Sequence, residues 1–295
     1  MKFTFTRAAS LAALLALAAS CSKDEQNTPT APTAVATTQD ATATRDSHLA
    51  LGNPSGATTN ASNYTNYLLN KTQFAASYHR DRGIPNWVSW HLSSAWVGST
   101  ARQDNFAADA TLPSGWFRAT SSSYTGSGFD RGHNCPSADR TGSVADNSAT
   151  FLMTNMIPQA ANVNQRGWAS LENYCRTLVD AGNELYIICG SYGTGGTGLN
   201  GYKTTIASGK VTVPANCWKV IVVLPNGSSD VSRVTTSTRV IAINMPNNQS
   251  VSTTWSGYRT TVNAIEAATG LDLLSAISTT IQSTIEARVD NGPTS

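Results

Sequence analysis

The sequence predicts an α+β fold, with a central antiparallel sheet and flanking helices, from the order of its strand-like and helix-like segments. Three runs rich in β-branched residues, 184–190, 217–224 and 239–246, are bounded by turn-forming residues, as is typical of strands. Two segments, beginning at Asn164 and Val262, carry apolar side chains at the three- and four-residue spacing of a helix face. Because these strands and helices do not alternate regularly, a parallel βαβ sheet is not expected.

The first 20 residues have the features of a secretory signal peptide: a basic start and then an apolar run, 8–20, that is too short to span a bilayer. Cys21 follows Leu17-Ala18-Ala19-Ser20, which resembles a bacterial lipobox, so acylation of Cys21 would anchor the protein to a membrane. The alternative is an ordinary cleaved signal with an incidental cysteine. We expect an exported protein that is lipid-anchored to the outer membrane or cell surface, or released from it.

Residues 21–62 are rich in Thr, Ala, Asn and Ser, and we predict a disordered tether because so few apolar side chains cannot offset the entropy of ordering. Residues 63–295 are long enough for one sizeable core and predict one domain. That domain holds 16 basic and 14 acidic side chains, which excludes a strongly basic surface for nucleic acid. Binding of an anionic ligand would instead depend on a local cleft lined by arginines: Arg102, Arg131, Arg140 and Arg166.

The early part of the domain contains two further candidate elements. Segment 67–78 is compatible with a strand or a short helix, whereas 87–96 alternates apolar and polar residues like a half-buried strand. We expect His91 in that strand to be a hydrogen-bonded structural residue, and the tryptophans to belong to the core rather than to stack on bases: Trp87, Trp90 and Trp96. The glycine-rich stretch 193–201 lacks the Lys-Ser/Thr ending of a phosphate loop and predicts a mobile loop.

The segment from residue 130 to residue 172 carries the side chains best suited to catalysis. Residues 150–157 are apolar and predict a strand, followed by a short loop and the helix that begins near Asn164. Asn164 then lies in the first turn and Glu172 about two turns further on, on a neighbouring face. Amide and carboxylate oxygens are hard ligands that suit Mg²⁺. His133 could act as a general base, since a neutral imidazole can take a proton from water.

Several motifs resemble those of the DNA/RNA non-specific endonuclease family, the sugar-non-specific nucleases with a ββα-metal active site. The resemblance spans roughly residues 65 to 288. Its central motifs are Asp130-Arg131-Gly132-His133, Asn155-Met156-Ile157-Pro158-Gln159, Asn164-Gln165-Arg166-Gly167-Trp168 and Leu171-Glu172. Flanking segments are similar too, upstream at 86–91 and Arg102 and downstream at 261–272.

The resemblance implies a role for each matching position. His133 would be the general base, Asn164 the direct ligand of Mg²⁺ or Mn²⁺, and Glu172 the partner of a metal-bound water. The supporting groups near the scissile phosphate would be Asn155, Arg131 and Arg102. The implied activity is hydrolysis of phosphodiester bonds in DNA and RNA, which leaves 5′-phosphate ends. The alternative is a catalytically degenerate surface lipoprotein that binds nucleic acid or glycan.

The cysteines suit an oxidising compartment, because four remain when Cys21 is set aside, and an even number can pair. Three pairings are possible. We favour Cys189 with Cys217 across neighbouring strands, and Cys135 with Cys175, which would join the loop after His133 to the metal-bearing helix. A Cys₄ zinc site is not expected because no Cys-x-x-Cys spacing occurs.

Overall fold

The structure, a computed structural model that describes residues 43–295, is built around β-strands. There are thirteen strands in the described range: β1 (Tyr67–Asn70), β2 (Ala75–His79), β3 (Ile84–Leu92), β4 (Asp130–His133), β5 (Met156–Gln159), β6 (Asn183–Tyr192), β7 (Gly196–Gly198), β8 (Gly201–Lys203), β9 (Thr205–Ile206), β10 (Val211–Thr212), β11 (Asn216–Pro225), β12 (Arg239–Pro246) and β13 (Arg259–Thr260). The α-helices of the same range are α1 (Val144–Ala149), α2 (Ala169–Asp180), α3 (Asp230–Arg233), α4 (Val262–Thr269) and α5 (Thr279–Ile285).

Seven strands form one sheet in the order β1-β2-β3-β6-β11-β12-β13, and each neighbouring pair is antiparallel. This confirms the predicted α+β class with a central antiparallel sheet. The three runs expected to be strands are β6, β11 and β12, and the ambiguous segment 67–78 forms the pair β1 and β2. The glycine-rich stretch predicted to be a mobile loop includes β7 and leads into β8, with which it pairs.

The sheet has a buried apolar layer on each face, because successive side chains along a strand point to opposite sides. One layer packs against α2 and includes Trp90, Trp168 and Ile221. The other packs against α4 and includes Trp87 and Trp218. Burial of Trp87, Trp90 and Trp96 confirms their prediction as core residues.

β4 and β5 pair antiparallel in a small two-stranded sheet. A helix follows β5 in the chain, and it consists of a π-helical turn, Val163–Trp168, and α2. This hairpin and helix form the predicted ββα unit. The predicted strand 150–157 is shorter than expected, because Thr150 ends α1 and Met153–Asn155 form a 3₁₀ turn before β5 begins. Gly132 allows close packing of the two strands, since a Cβ atom there would lie 2.3 Å from Gln159 Oε1.

The N-terminal boundary of the domain differs from the prediction, because the part of the predicted tether around residues 48–57 packs against the sheet. Leu51 is buried in the layer that faces α4. His48 Nε2 lies 2.8 Å from the backbone oxygen of Thr72, and its Nδ1 accepts a hydrogen bond from the backbone of His91. A few well-placed contacts therefore order a segment whose average composition resembles a disordered chain. The predicted signal peptide, the lipidation site Cys21 and the first half of the tether lie outside the described residues.

All four cysteines of the described range are buried free thiols, which corrects both predicted disulfides. Cys217 lies opposite Ser191 and Cys189 lies opposite Lys219, so Cys189 and Cys217 are diagonal neighbours. Diagonal neighbours are about 7–8 Å apart, with Cβ atoms somewhat closer, whereas a disulfide requires Cβ atoms about 3.5–4.5 Å apart. Cys135 and Cys175 belong to the apolar layer that packs against α2. Among residues 43–295, no helix has the length and apolar character needed to cross a membrane.

Candidate active site

His133 ends β4 and presents its ring at the base of a cleft. The ring makes edge contacts with two phenylalanines, at centroid distances of 5.6 Å to Phe106 and 5.0 Å to Phe151. Its Nε2 atom is buried and has no hydrogen-bond partner within the described residues. Burial, followed by the nearby positive charge of Arg102, lowers the pKa of His133 to about 3. The ring is therefore neutral at ordinary pH, with an unpartnered nitrogen that suits a proton acceptor.

Asn164 lies in a π-helical turn, Val163–Trp168, that continues directly into α2. A π turn is wider than an α turn and often marks a functional site, so the predicted regular helix from Asn164 to Glu172 is wrong in its first turn. The Asn164 amide nitrogen donates to Asp130 Oδ2 at 2.9 Å, and Gln165 donates to the same oxygen at 2.8 Å. Because Asp130 uses the amide nitrogen, the amide oxygen of Asn164 is directed elsewhere.

Glu172 connects the cleft with the interior of the protein. Its Oε1 atom lies 3.0 Å from the ammonium nitrogen of Lys219, which is completely buried. The carboxylate retains some exposure, with a side chain that is 15% accessible. Burial raises the pKa of Glu172 above its usual value, and the charge of Lys219 opposes that shift.

The predicted base and the predicted metal ligands line one cavity of about 230 Å³. Its walls include His133, Asn164 and Glu172, together with Arg102 and Arg131. The two arginines, Asn164 and Asp130 also line a second cavity of about 320 Å³. Three separate parts of the sequence, the hairpin strand β4, the helix and the segment around Arg102, thus meet at one concave surface.

Arg102 and Arg131 are held at this surface by partly different contacts. The guanidinium group of Arg102 donates to Asp104 at 2.7 Å and to Ser137 at 2.9 Å, and it lies 4.8 Å from the Phe151 ring centroid. Arg131 lies 4.1 Å from the ring centroid of Phe106. Both side chains remain exposed, so their charges can meet an anionic ligand.

Three predicted site residues do not line either cavity. Arg140 is fully buried, and its guanidinium group donates to the backbone oxygens of Gln73, His91 and Asp139, so it cannot bind substrate in the cleft. Asn155 is also fully buried.

The amide of Asn155 donates to the backbone oxygens of Cys135 and Thr150 and accepts from the Cys135 nitrogen. It therefore fixes the loop behind His133 instead of facing a phosphate. Arg166 is exposed but does not line either cavity beside His133.

Two residues that contact the predicted ligands were not predicted. Asp130 belongs to the same four-residue motif as His133, and its carboxylate could have been recognised as a partner for an amide. Lys219 is a single charge inside the apolar strand 217–224, and an unpaired lysine there would be very costly, so its presence indicated a buried acidic partner. The packing of Phe106 and Phe151 around His133 left no comparable signal in the sequence.

A second group of candidate ligand atoms lies on the opposite face of the sheet. Atoms of Asp46, His91, Glu184 and Asp230 lie within 4.8 Å of one another. Arg233 donates to both Glu184 and Asp230, and His91 Nε2 lies 3.1 Å from Glu184 Oε2. These contacts form a buried ion-pair and hydrogen-bond network, which agrees with the prediction of His91 as a hydrogen-bonded structural residue.

Comparison with known proteins relates this geometry to described nucleases. A protein named Nuclease from Nostoc sp. is 50% identical over 244 residues, which cover 83% of this chain and 86% of that protein. Nuclease C1 from Cunninghamella echinulata var. echinulata is 34% identical over 170 residues, covering 55% and 67% of the two chains. The mitochondrial nuclease EXOG from Homo sapiens is 30% identical over 156 residues, which cover 51% of this chain and 42% of that protein.

The fold also matches a solved structure of EndoG in the EndoG/EndoGI complex, with a TM-score of 0.64 and 22% sequence identity. That match covers 82% of this chain and 96% of the solved chain. The profile of the DNA/RNA non-specific endonuclease family matches residues 51–280. This chain therefore belongs to the DNA/RNA non-specific endonuclease family.

Proposed function

We propose that the protein is a metal-dependent endonuclease that hydrolyses phosphodiester bonds in both DNA and RNA and leaves 5′-phosphate ends. Membership of a family of divalent-metal-dependent nucleases supports the reaction class. The observation that carries the assignment of the site is the unpartnered Nε2 of His133 in a cavity shared with Asn164 and Glu172. Mg²⁺ is the proposed ion, with Mn²⁺ as the close substitute.

The residues around the cavity fit a hard divalent cation. Asn164 offers an amide oxygen, because its nitrogen is used by Asp130, and Glu172 offers a carboxylate that could hold a bound water. One direct protein ligand and several waters are typical of Mg²⁺ sites. When bound, the ion would neutralise charge on the phosphate oxygens and on the leaving oxygen.

Side chains of the protein would carry out proton transfer and phosphate binding. His133 takes a proton from the attacking water through Nε2, since the ring is neutral and that atom is free to accept. Arg102 and Arg131 hold the phosphate and stabilise its added negative charge as water attacks. Such contacts bind the phosphate backbone of the nucleic acid and do not involve the base edges, which supports cleavage with little sequence preference.

Plasmid DNA and RNA, each incubated with purified protein with and without Mg²⁺, test this proposal directly. We expect His133→Ala to abolish degradation while circular dichroism shows that the fold is retained. Retained cleavage by that variant would remove His133 as the base. Wild-type cleavage that is indifferent to EDTA would remove the metal. Tight nucleic-acid binding without any cleavage would favour the degenerate binding protein instead.

We further propose that Cys21 carries a lipid that anchors the protein to the outer membrane or cell surface. The lipobox-like sequence before Cys21 supports this proposal. Metabolic labelling with a fatty-acid analogue should mark the wild-type protein and leave Cys21→Ala unlabelled. Equal labelling of both proteins, or none in either, would contradict the anchor.

A further inference from the structure

Lys219 occupies an unusual place for a charged side chain. It lies in β11, an interior strand of the sheet, with backbone neighbours Cys189 in β6 and Ile243 in β12, and its side chain points toward α2. Its exposure is 0%. An isolated ammonium group at such a position would cost many kcal/mol, so its partners determine whether it can be charged there.

The acidic partner of Lys219 and one of its two aromatic neighbours belong to the helix that carries the candidate site. Its nitrogen donates to Glu172 Oε1 at 3.0 Å. The same nitrogen lies 4.8 Å from the ring centroid of Trp168, the last residue of the π turn, and 5.5 Å from that of Trp90. Burial raises the pKa of the neighbouring Cys189 thiol to about 12, so that thiol stays neutral and provides no counter-charge. Glu172 is the acidic partner of Lys219 among the described residues.

These contacts place one buried cation against Glu172 and against the last residue of the turn that contains Asn164. The ion pair fixes one oxygen of Glu172 against the core, while the carboxylate still lines the cavity. The Trp168 contact supports the end of the turn in which Asn164 lies. A cation under an aromatic face and a carboxylate is attracted to both, and the surrounding strands prevent it from moving.

We propose that Lys219 is a positioning residue for the metal site, which it supports through Glu172 and Trp168 from inside the sheet. This inference rests on the proposed function of the site. Groups that orient metal-binding side chains typically change metal affinity about 10- to 100-fold when they are removed. Loss of Lys219 should therefore weaken metal binding even though Lys219 touches neither the solvent nor the cavity.

The test is calorimetric titration of Mn²⁺ into the purified protein without substrate, together with thermal unfolding without metal. Lys219→Met keeps a long flexible side chain and removes the charge. We expect its Mn²⁺ affinity to fall about 10-fold or more relative to wild type. Lys71→Met is the matched control, because Lys71 also pairs with a buried carboxylate, Asp109, at 2.8 Å but lines neither cavity beside His133. It should lose stability and keep its Mn²⁺ affinity.

A double-mutant comparison separates positioning from general damage to the core. If Lys219 acts mainly through Glu172, adding Lys219→Met to Glu172→Gln should weaken Mn²⁺ binding much less than it does in the wild-type background. An undiminished effect in that background, or wild-type affinity in Lys219→Met, would overturn the inference. Lys219→Gln serves if Lys219→Met does not fold, and failure of both variants to fold would assign Lys219 to the core alone.

The same measurements distinguish this inference from the proposed function. A wild-type protein that neither binds Mn²⁺ nor degrades plasmid would refute the proposed function itself. A wild-type protein that does both, with Lys219 variants that match its affinity, would refute only the positioning role.

Discussion

Replacement of Asp130 by alanine should reduce activity by removing the group that orients Asn164. Asp130 Oδ2 accepts from the Asn164 amide at 2.9 Å and from the Gln165 amide at 2.8 Å. Without that acceptor, the Asn164 amide can rotate, and its oxygen is no longer held in one direction. The backbone of the π turn keeps its own hydrogen bonds, so we expect the fold to survive.

The size of the effect follows from the strength of one charge-assisted hydrogen bond. A hydrogen bond to an ionised group is worth about 1.5–3 kcal/mol. If that energy maintains the productive orientation of Asn164, its loss lowers the population of that orientation about 10- to 150-fold. Metal affinity and kcat/KM should both fall by a factor in that range, with Asp130→Asn less impaired because it keeps one acceptor oxygen.

The assay is initial-rate cleavage of plasmid over a range of Mn²⁺ concentrations, with direct Mn²⁺ titration of the same proteins. Asp104→Asn is a suitable control, because Asp104 lines the same 320 Å³ cavity as Asp130 but bonds to Arg102 instead of Asn164. Its Mn²⁺ affinity should stay close to wild type. An Asp130→Ala protein with wild-type metal affinity and wild-type kcat/KM would refute the orienting role.

Four further predictions follow from burial and charge. Arg140→Met should lower the free energy of unfolding in urea by at least about 3 kcal/mol, because several charged hydrogen bonds are lost. It should leave KM unchanged at temperatures where it is folded. Arg131→Met should raise KM and leave the free energy of unfolding close to wild type. Leu51→Ala should cost about 2–5 kcal/mol of unfolding free energy, whereas a residue in a tether would show no loss. Reducing agent should leave the melting temperature of residues 43–295 unchanged, since opening a disulfide would cost about 2–5 kcal/mol and the structure has only free thiols there. The pKa of His133 is about 3 in the folded protein and higher when unfolded, so its contribution to stability is complete above pH 6.5 and is lost as pH falls toward 3. Between pH 7 and pH 4.5, the free energy of unfolding in urea should therefore fall less for His133→Gln than for wild type. Equal decreases in the two proteins would contradict this prediction.

The sequence was sufficient to predict the fold class and to predict that His133, Asn164 and Glu172 lie close together. Its β-branched runs became the central strands, because a strand buried on both faces needs apolar residues along its length. The motif around His133 and the helix containing Asn164 and Glu172 predicted one cavity, since a hairpin followed by a helix is a local unit. Local patterns determine local structure well, and most of this candidate site is local.

The predictions that failed concern contacts between distant segments. Arginines look alike in a sequence, but Arg140 is fully buried while Arg102 lines the cavity. Residues 43–62 have the composition of a tether, yet Leu51 reaches the core. Cysteine number suggested disulfides, but strand register sets the distance between Cys189 and Cys217, and no composition rule contains that register.

The sequence alone determined the class of fold, the ββα unit and the candidate groups for catalysis: an imidazole, an amide and a carboxylate. Only the tertiary structure decided which arginines reach that set, how Asp130 turns the Asn164 amide, and that Lys219 pairs with Glu172 from within the sheet. The physical reason is that the chemistry of each side chain depends only on which amino acid stands at that position. Burial, register and pairing are instead properties of segments that meet only after the whole chain has folded.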